Sequence, residues 1–357
     1  MSPALHQFVP TLLPHDAVGN IVREFQRRLR SLGLDSEIYV AEPSRSPERV
    51  LSVEQIGHGS PVIYHFGGFS AAGGRLVRSN PEVILHYHNI TPHQYFSGWD
   101  REAALGQLRA RTQLAAIAPM AAGALSVSHF NADELLRLGF SRVITTGTFS
   151  NHGHLADLEP GPDAPRLFAD WEARGRPEDW LSVGRLVPHK APDRVIAAFA
   201  AFRRSTGMDA KLTLIGRPFG RRYLEFLRAT ITASGVSGRV RLLGTGIAPG
   251  RLADHYRAAR ILVSASTHEG FGLPFLEAMA MRIPIVALPE AAIPETVGNA
   301  AVLAAENSPA GIAAAAIVAS RHRERLIEDG VSRLAGFSPD LVWERIVTAL
   351  RELRVFG

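Results

Sequence analysis

Apolar, strand-like runs alternate with amphipathic helical segments along nearly the whole chain, and this alternation limits the possible folds more than any other feature. A helix over 18–32 is predicted because Ile21, Phe25 and Leu29 share one face. Strands separated by helices indicate a parallel, doubly wound sheet of the α/β class. The strands predicted before residue 150 cover 5–13, 34–40, 61–65, 83–88, 124–128 and 143–146.

A stretch rich in proline and glycine interrupts this alternation between residues 150 and 178. Because these residues mark turns and loops, we predict a linker or an irregular excursion at 151–178. The chain is thus predicted to hold an N-terminal domain at 1–150, a C-terminal domain at 179–337, and a last helical segment at 338–357 that could pack back on the N-terminal domain. Two doubly wound domains place the expected ligand site in the cleft between them, beyond the carboxyl ends of the strands. Strands of the second domain are predicted at 180–183, 211–215, 240–243, 261–265, 285–287 and 301–303.

The composition argues against several classes of protein. The chain of 357 residues is 46% apolar and has no cysteine, so disulfides and thiolate metal sites are excluded. It shows neither a signal-peptide pattern nor an apolar span of transmembrane length, and we expect a cytoplasmic protein. The net charge of +5 is spread without a long basic run, which argues against a nucleic-acid partner but leaves peripheral contact with an anionic membrane open.

The stretch 264–280 is the clearest candidate for a binding site. The loop Glu269-Gly-Phe-Gly272 joins a predicted strand to a helix that begins near Pro274. Glycines allow close approach of a ligand, and the amino end of a helix favours an anion. With Glu269 and Glu277 as acceptors for hydroxyl groups, the pattern fits a phosphorylated, polyhydroxylated ligand. A strand–turn–helix with two solvated glutamates explains this stretch about equally well.

A second candidate, the segment GRLVPHK at 184–190, follows the first strand of the second domain. Arg185 and Lys190 are cations that could neutralise a leaving diphosphate as its bond breaks. The alternative is a pair of solvated surface cations. Among the 39 basic residues only Lys190 and Lys211 are lysines, and this scarcity favours a function for Lys190.

Together these segments resemble the retaining glycosyltransferases of family 4, which have the GT-B fold of two Rossmann-like domains facing a central cleft. The two motifs GRLVPHK and HEGFGLPFLE (268–277) are about 80 residues apart, and the second has the Glu, seven residues, Glu spacing of that family. The resemblance covers nearly the whole chain. Further matching segments are FGG at 66–68, YHNITP at 87–92 and VSHFNADEL at 127–135.

The resemblance implies a role for each matched position. Arg185 and Lys190 would bind the diphosphate of the donor, Glu277 its ribose hydroxyls, and Glu269 the donor sugar. Gly19 would let the diphosphate and the acceptor approach, and His88 would face the donor sugar across the cleft. Backbone N–H groups would bind sugar hydroxyls and phosphate at Gly270, Phe271, Gly272 and Leu273. The groups implied at the reacting atoms are Glu269, His88, Arg185 and Lys190.

The implied activity is that of a hexosyltransferase in polysaccharide or lipopolysaccharide biosynthesis. A hexose, with mannose from GDP-mannose ahead of glucose, would pass from a nucleotide-sugar donor to a glycan or lipid-linked sugar acceptor at the inner face of the membrane. A non-catalytic sensor, or another GT-B protein such as an epimerase, is the alternative. No cofactor and no metal are expected, because the family needs no divalent metal and no Asp-x-Asp motif is present. The pairs His86/His88 and His152/His154 could each share a face, but zinc would need further ligands of suitable geometry.

Overall fold

The computed structural model describes residues 4–12, 17–42, 49–149, 152–244 and 246–354. They belong to two compact units, one formed by residues 1–150 with 337–357 and the other by residues 151–336. The strands are β1 (His6–Phe8), β2 (Ile38–Val40), β3 (Leu51–Ser52), β4 (Val62–Phe66), β5 (Val83–Tyr87), β6 (Gly123–Ser126), β7 (Val143–Thr145), β8 (Trp180–Val183), β9 (Leu212–Ile215), β10 (Val240–Leu243), β11 (Ile261–Val263), β12 (Ile285–Ala287) and β13 (Ala301–Leu303).

Helices cover the sheets, and most of them follow the pattern read from the sequence. Among the described residues, no helix is long and apolar enough to cross a membrane. The helices are α1 (Ala17–Ser31), α2 (Ala71–Ser79), α3 (Gln94–Ser97), α4 (Arg101–Ile117), α5 (His129–Arg137), α6 (His154–Asp157), α7 (Ala164–Ala173), α8 (Pro192–Thr206), α9 (Arg221–Ala233), α10 (Pro249–Ala258), α11 (Leu273–Ala280), α12 (Ile293–Val297), α13 (Pro309–Arg321), α14 (Arg323–Leu334) and α15 (Pro339–Glu352).

The first unit is built on a parallel sheet whose described strands run in the order β3-β2-β1-β4-β5-β6-β7. The order reverses between β1 and β4, as in doubly wound nucleotide-binding folds. One face of the sheet is covered by α1 and α15, which share a core that includes Phe25, Leu29, Ile346 and Leu350. The last helix thus packs within the first unit.

The second unit repeats the plan with a parallel sheet in the order β10-β9-β8-β11-β12-β13. The order here reverses between β8 and β11. The six strands predicted for this unit all form, with ends that differ by at most two residues. In the first unit β1 and β2 are shorter than the predicted strands at 5–13 and 34–40, and β3 was not predicted. Two parallel, doubly wound sheets confirm the predicted α/β fold class.

The structure corrects the prediction of a linker at 151–178. This stretch contains α6 and α7, and it belongs to the second unit. The buried carboxylate of Asp254 on α10 holds this stretch in place. It accepts hydrogen bonds from the backbone N–H groups of Gly161, Asp163 and Ala164 at 2.7, 3.1 and 3.1 Å. A side chain distant in sequence thus satisfies the backbone N–H groups that lead into α7. The prolines and glycines of this stretch give no sign of that contact.

Helix α2 was also not predicted, because two glycines lower the helix propensity of its sequence. The structure gives the reason for one of them. A Cβ atom on Gly73 would overlap the ring and hydroxyl of Tyr64 on β4. Close packing of the helix against the sheet therefore requires glycine there, and the Ser70 hydroxyl caps the helix by accepting from Gly73 N–H at 3.1 Å.

Candidate functional site

Two loops meet at the carboxyl edge of the second sheet, where the strand order reverses. One loop follows β8 and carries Arg185 and Lys190, and the other follows β11 and carries Glu269. They are tied together by a hydrogen bond of 2.8 Å from the N–H of Thr267 to the carbonyl oxygen of His189. Ligands of open α/β sheets bind at this position.

Lys190 and Glu269 form an ion pair in this loop cluster. The Glu269 side chain is only 9% exposed and that of Lys190 is 26% exposed, so the carboxylate is shielded while the lysine side chain is partly exposed. A buried carboxylate without a partner would cost several kcal/mol. The sequence placed these residues in separate motifs 79 positions apart, and the structure brings them into contact.

A small cavity of about 20 Å³ lies beside this pair, and Arg185 and Ser264 also line it. Arg185 is exposed on the same loop as Lys190. The cavity, the two cations and the carboxylate thus occupy one edge of one sheet. This arrangement can receive an anionic group at the cations and hydroxyl groups at the carboxylate.

Helix α11 begins next to the pair. Its N-cap is Gly272 at φ +101°, a left-handed conformation that favours glycine. Carbonyl groups of the preceding loop are bonded to α12 and its N-cap: the Thr296 hydroxyl donates to Phe271 O at 2.7 Å, and Ala292 N–H donates to Glu269 O at 3.3 Å. The first N–H groups of a helix have no partner within it, so the start of α11 can bind an anion or a hydroxyl oxygen.

Glu277 lies on α11, and the sequence did not reveal its partner. The hydroxyl of Tyr256 on α10 donates to Glu277 Oε2 at 2.7 Å. Burial raises the pKa of Glu277 above its ordinary value, and this hydrogen bond acts in the opposite direction. Tyr256 is fully buried and holds the carboxylate in a fixed position. A single tyrosine 21 residues upstream carries no sequence signal for this role.

The candidates of the first unit lie at the corresponding edge of its own sheet. Gly19 is buried in the first turn of α1, and His88 follows β5 directly. The N–H of His88 donates to Phe66 O at 2.9 Å, which links the YHNITP segment to the FGG segment. The roles of Gly19 and His88 toward the diphosphate and the donor sugar stay predictions from the resemblance.

The segments 87–92 and 127–135, which both resemble the family pattern, are joined by side-chain contacts. The Tyr87 hydroxyl donates to Glu134 at 2.6 Å, and Arg111 forms an ion pair with the same carboxylate. Asn89, at φ 76°, donates to the side-chain oxygen of Asn131 at 2.7 Å. These contacts hold the backbone that follows β5, so they fix the position of His88.

A larger cavity of about 360 Å³ lies at the amino edge of the second sheet, away from these loops. It borders the first residues of β8, β9 and β10, and the ammonium group of Lys211 is paired there with Asp170 at 2.7 Å. The other lysine of the chain therefore has a structural partner. Size alone does not make this cavity the ligand site, because doubly wound sheets bind ligands at the opposite edge.

We expect acid to destabilise the second unit through His189. Its side chain is 7% exposed, and burial, assisted by the charge of Lys190, lowers its pKa to about 2. The unfolded imidazole titrates near pH 6.5, so this contribution is complete above that pH and falls by about 1.4 kcal/mol per pH unit below it. Chemical denaturation gives the free energy of unfolding at pH 7 and at pH 5. The decrease between these two values should be about 2 kcal/mol smaller in His189→Gln than in wild type. Equal losses would contradict the assignment, and exposed His154→Gln should behave as wild type.

Both loops lie in the part of the chain that matches a known protein family. Residues 163–330 match the family described as Glycosyl transferases group 1. The D-inositol 3-phosphate glycosyltransferase of Geodermatophilus obscurus is 38% identical over 184 residues, which cover 48% of this chain and 38% of that protein. The O-antigen chain mannosyltransferase B of Escherichia coli is 28% identical over 230 residues, covering 63% and 58%. The matched stretches thus span about half the length of these curated relatives.

A solved structure extends the likeness of fold to the whole chain. The crystal structure of Anabaena HepE in complex with UDP and glucose superposes with a TM-score of 0.73 and covers 98% of this chain and 99% of that one, at 15% identity. At that identity the likeness concerns the fold. The chain therefore has the GT-B fold seen in glycosyltransferase structures, and its residues 163–330 match the family described as Glycosyl transferases group 1.

Proposed function

We propose that this protein is a retaining hexosyltransferase that uses a nucleoside-diphosphate sugar. The observation that carries the proposal is the pairing of Lys190 with Glu269 beside the start of α11. A cation, a shielded carboxylate and a helix amino end are the groups needed for a diphosphate attached to a polyhydroxylated sugar. All three lie within the segment that matches the glycosyl transferases of group 1.

In this proposal Arg185, Lys190 and the start of α11 stabilise the diphosphate as the glycosidic bond breaks. When the donor binds, the Lys190 ammonium group would interact with the phosphate as well as with Glu269. The Glu269 carboxylate could then accept hydrogen bonds from sugar hydroxyls. Glu277, held by Tyr256, would accept from the ribose hydroxyls. The leaving diphosphate would take the proton of the acceptor on the same face, so retention requires no protein nucleophile. No step requires a metal ion.

For the donor we propose mannose ahead of glucose, with GDP as the first nucleotide to test. The name of the Escherichia coli relative, a mannosyltransferase of O-antigen chains, supports mannose and a glycan acceptor. The Anabaena structure contains UDP and glucose, which makes UDP-glucose the second donor to test. Family 4 membership, a cytoplasmic location and contact with a lipid-linked acceptor at the inner membrane face belong to the same proposal.

Thermal unfolding in the presence of nucleotides tests the donor site. UDP, GDP and ADP, each with and without EDTA, are added at increasing concentration. A ligand at about 100 times its dissociation constant stabilises the folded state by about 2.7 kcal/mol. We expect one nucleotide to raise the unfolding temperature, with an increment that EDTA does not change.

The outcomes separate the proposal from its alternative. Stabilisation by no nucleotide would contradict the donor site. Stabilisation by one nucleotide, without release of nucleoside diphosphate from any of its sugar derivatives, would favour a non-catalytic nucleotide-sugar-binding protein. Stabilisation that disappears with EDTA would contradict the metal-independent part of the proposal.

A further inference from the structure

Three histidines converge at the carboxyl edge of the first sheet. His65 on β4 and His86 on β5 are register partners, so their side chains project from the same face, and His88 follows two residues after His86. Potential ligand nitrogens of the three rings all lie within 4.8 Å of one another. The sequence offered only the pair His86/His88, and the pairing of β4 with β5 supplies the third ring.

His86 is the least satisfied member of the cluster. It is 0% exposed, and neither of its ring nitrogens has a hydrogen-bond partner among the described residues. A neutral imidazole carries one N–H and one lone pair, so both groups are left buried without a partner. Each such group costs about 1–3 kcal/mol. An ordered water or a bound ion can satisfy a buried nitrogen of this kind.

His65 is already oriented as a metal ligand. Its Nε2 lies 3.0 Å from Oε1 of the buried Gln7 on β1. An amide oxygen only accepts, so Nε2 carries the hydrogen and Nδ1 presents a lone pair to the cluster. Histidines that bind metals almost always donate their other N–H to a carbonyl or carboxylate in this way.

His88 completes the cluster and opens it to solvent. Its Nε2 lies 3.1 Å from Nδ1 of His65, close to the roughly 3.3 Å between nitrogen ligands of tetrahedral zinc. The hydrogen now between these atoms would move to Nδ1 of His88, so all three rings stay neutral when a metal enters. Phe25 covers the inner side, 5.4 Å from the His65 ring and 5.3 Å from the His86 ring, while His88 is only half-buried.

We propose that His65, His86 and His88 bind a divalent transition-metal ion of the Zn²⁺ class. Three neutral nitrogen donors favour Zn²⁺, Co²⁺ or Ni²⁺ over Mg²⁺ and Ca²⁺, which prefer oxygen. Three protein ligands leave one tetrahedral position open. Transfer as proposed above needs no metal, and the family resemblance assigns His88 to the donor sugar, so the metal-loaded protein should transfer more slowly. That consequence rests on the proposed function, whereas metal binding does not.

Spectroscopic titration tests the site directly. Protein without a histidine tag is stripped with EDTA, freed of chelator and titrated with Co²⁺, and Zn²⁺ then displaces the cobalt. We expect one equivalent to bind with the intense visible absorption of tetrahedral cobalt. His86→Leu should abolish this signal and raise the free energy of unfolding of the metal-free protein, since it removes the unpartnered ring. Gln7→Leu should weaken binding about 10–100-fold, and His154→Gln serves as the control.

Two results would overturn the proposal. One is a folded His86→Leu variant that binds Co²⁺ as well as wild type. The other is X-ray absorption of the zinc-loaded wild-type protein that shows fewer than three imidazole ligands, a measurement that needs no variant to fold. No nucleotide is present in either experiment, so a failure here leaves the donor proposal standing. Absence of nucleotide binding would likewise leave the metal site standing.

Discussion

Glu269→Ala is expected to reduce transfer at least about 10³-fold, equivalent to about 4 kcal/mol of transition-state stabilisation. Glu269 is assigned to the donor sugar, and a carboxylate that accepts from sugar hydroxyls in a shielded site holds the reacting carbon in place. Nucleotide binding should change little, because Lys190 keeps its charge and its access to solvent. The measurement is release of nucleoside diphosphate from the sugar derivatives of the nucleotide identified in the thermal screen, with water as acceptor.

Two variants control this experiment. Glu269→Gln keeps the volume and a hydrogen-bond acceptor for Lys190 but removes the charge, so it should retain more activity than alanine. Glu225→Ala removes an exposed carboxylate of the same unit and should behave as wild type. If Glu269→Ala is folded, binds the nucleotide and releases product at the wild-type rate, Glu269 does not contact the donor sugar.

Glu277→Ala is expected to weaken nucleotide binding about 30- to 100-fold, because hydrogen bonds to a charged group each contribute about 1.5–3 kcal/mol. The fold should tolerate the change. A carboxyl group whose pKa is raised in the folded state stabilises the fold most at low pH, and that contribution is lost as the pH rises through the folded pKa. At neutral pH its removal therefore loses none of that contribution, and the remaining cost is that of the buried Tyr256 hydroxyl left without this acceptor, about 1–3 kcal/mol. Calorimetric titration with the preferred nucleotide gives the dissociation constant.

A modified ligand distinguishes contact with ribose from a general loss of binding. Wild type should bind the 2′,3′-dideoxy nucleotide far more weakly than the normal one, since a site built to bind hydroxyls rejects an analogue without them. Glu277→Ala should bind both nucleotides equally. The difference between wild type and variant in their discrimination of the two nucleotides is the coupling energy between Glu277 and the ribose hydroxyls. Tyr256→Phe should give an intermediate loss, because the carboxylate remains but its 2.7 Å hydrogen bond is removed. Undiminished discrimination in Glu277→Ala would show that another group binds the ribose.

Local patterns were sufficient to predict most of the fold. Alternating apolar runs predicted all six strands of the second sheet, because a buried parallel strand must be apolar along its length. The same reasoning missed α2, where packing of Gly73 against Tyr64 overrides low helix propensity. It also read 151–178 as a linker, although Asp254 holds that backbone from more than 90 residues away.

The candidate site was also predicted only in part. The motifs alone predicted the residues of the site and that Glu269 follows a strand and precedes a helix. Only the tertiary structure decided that Glu269 is paired with Lys190 and that Tyr256 donates to Glu277.

The histidine cluster was beyond sequence reasoning for a related reason. A spacing of two showed that His86 and His88 could share a face, but His65 lies on another strand, and its place beside them depends on the register of β4 and β5. The sequence therefore determined the order of strands and helices and the residues at their ends, because those depend on neighbours along the chain. The tertiary structure decided the pairs and clusters, because they depend on which strands lie side by side.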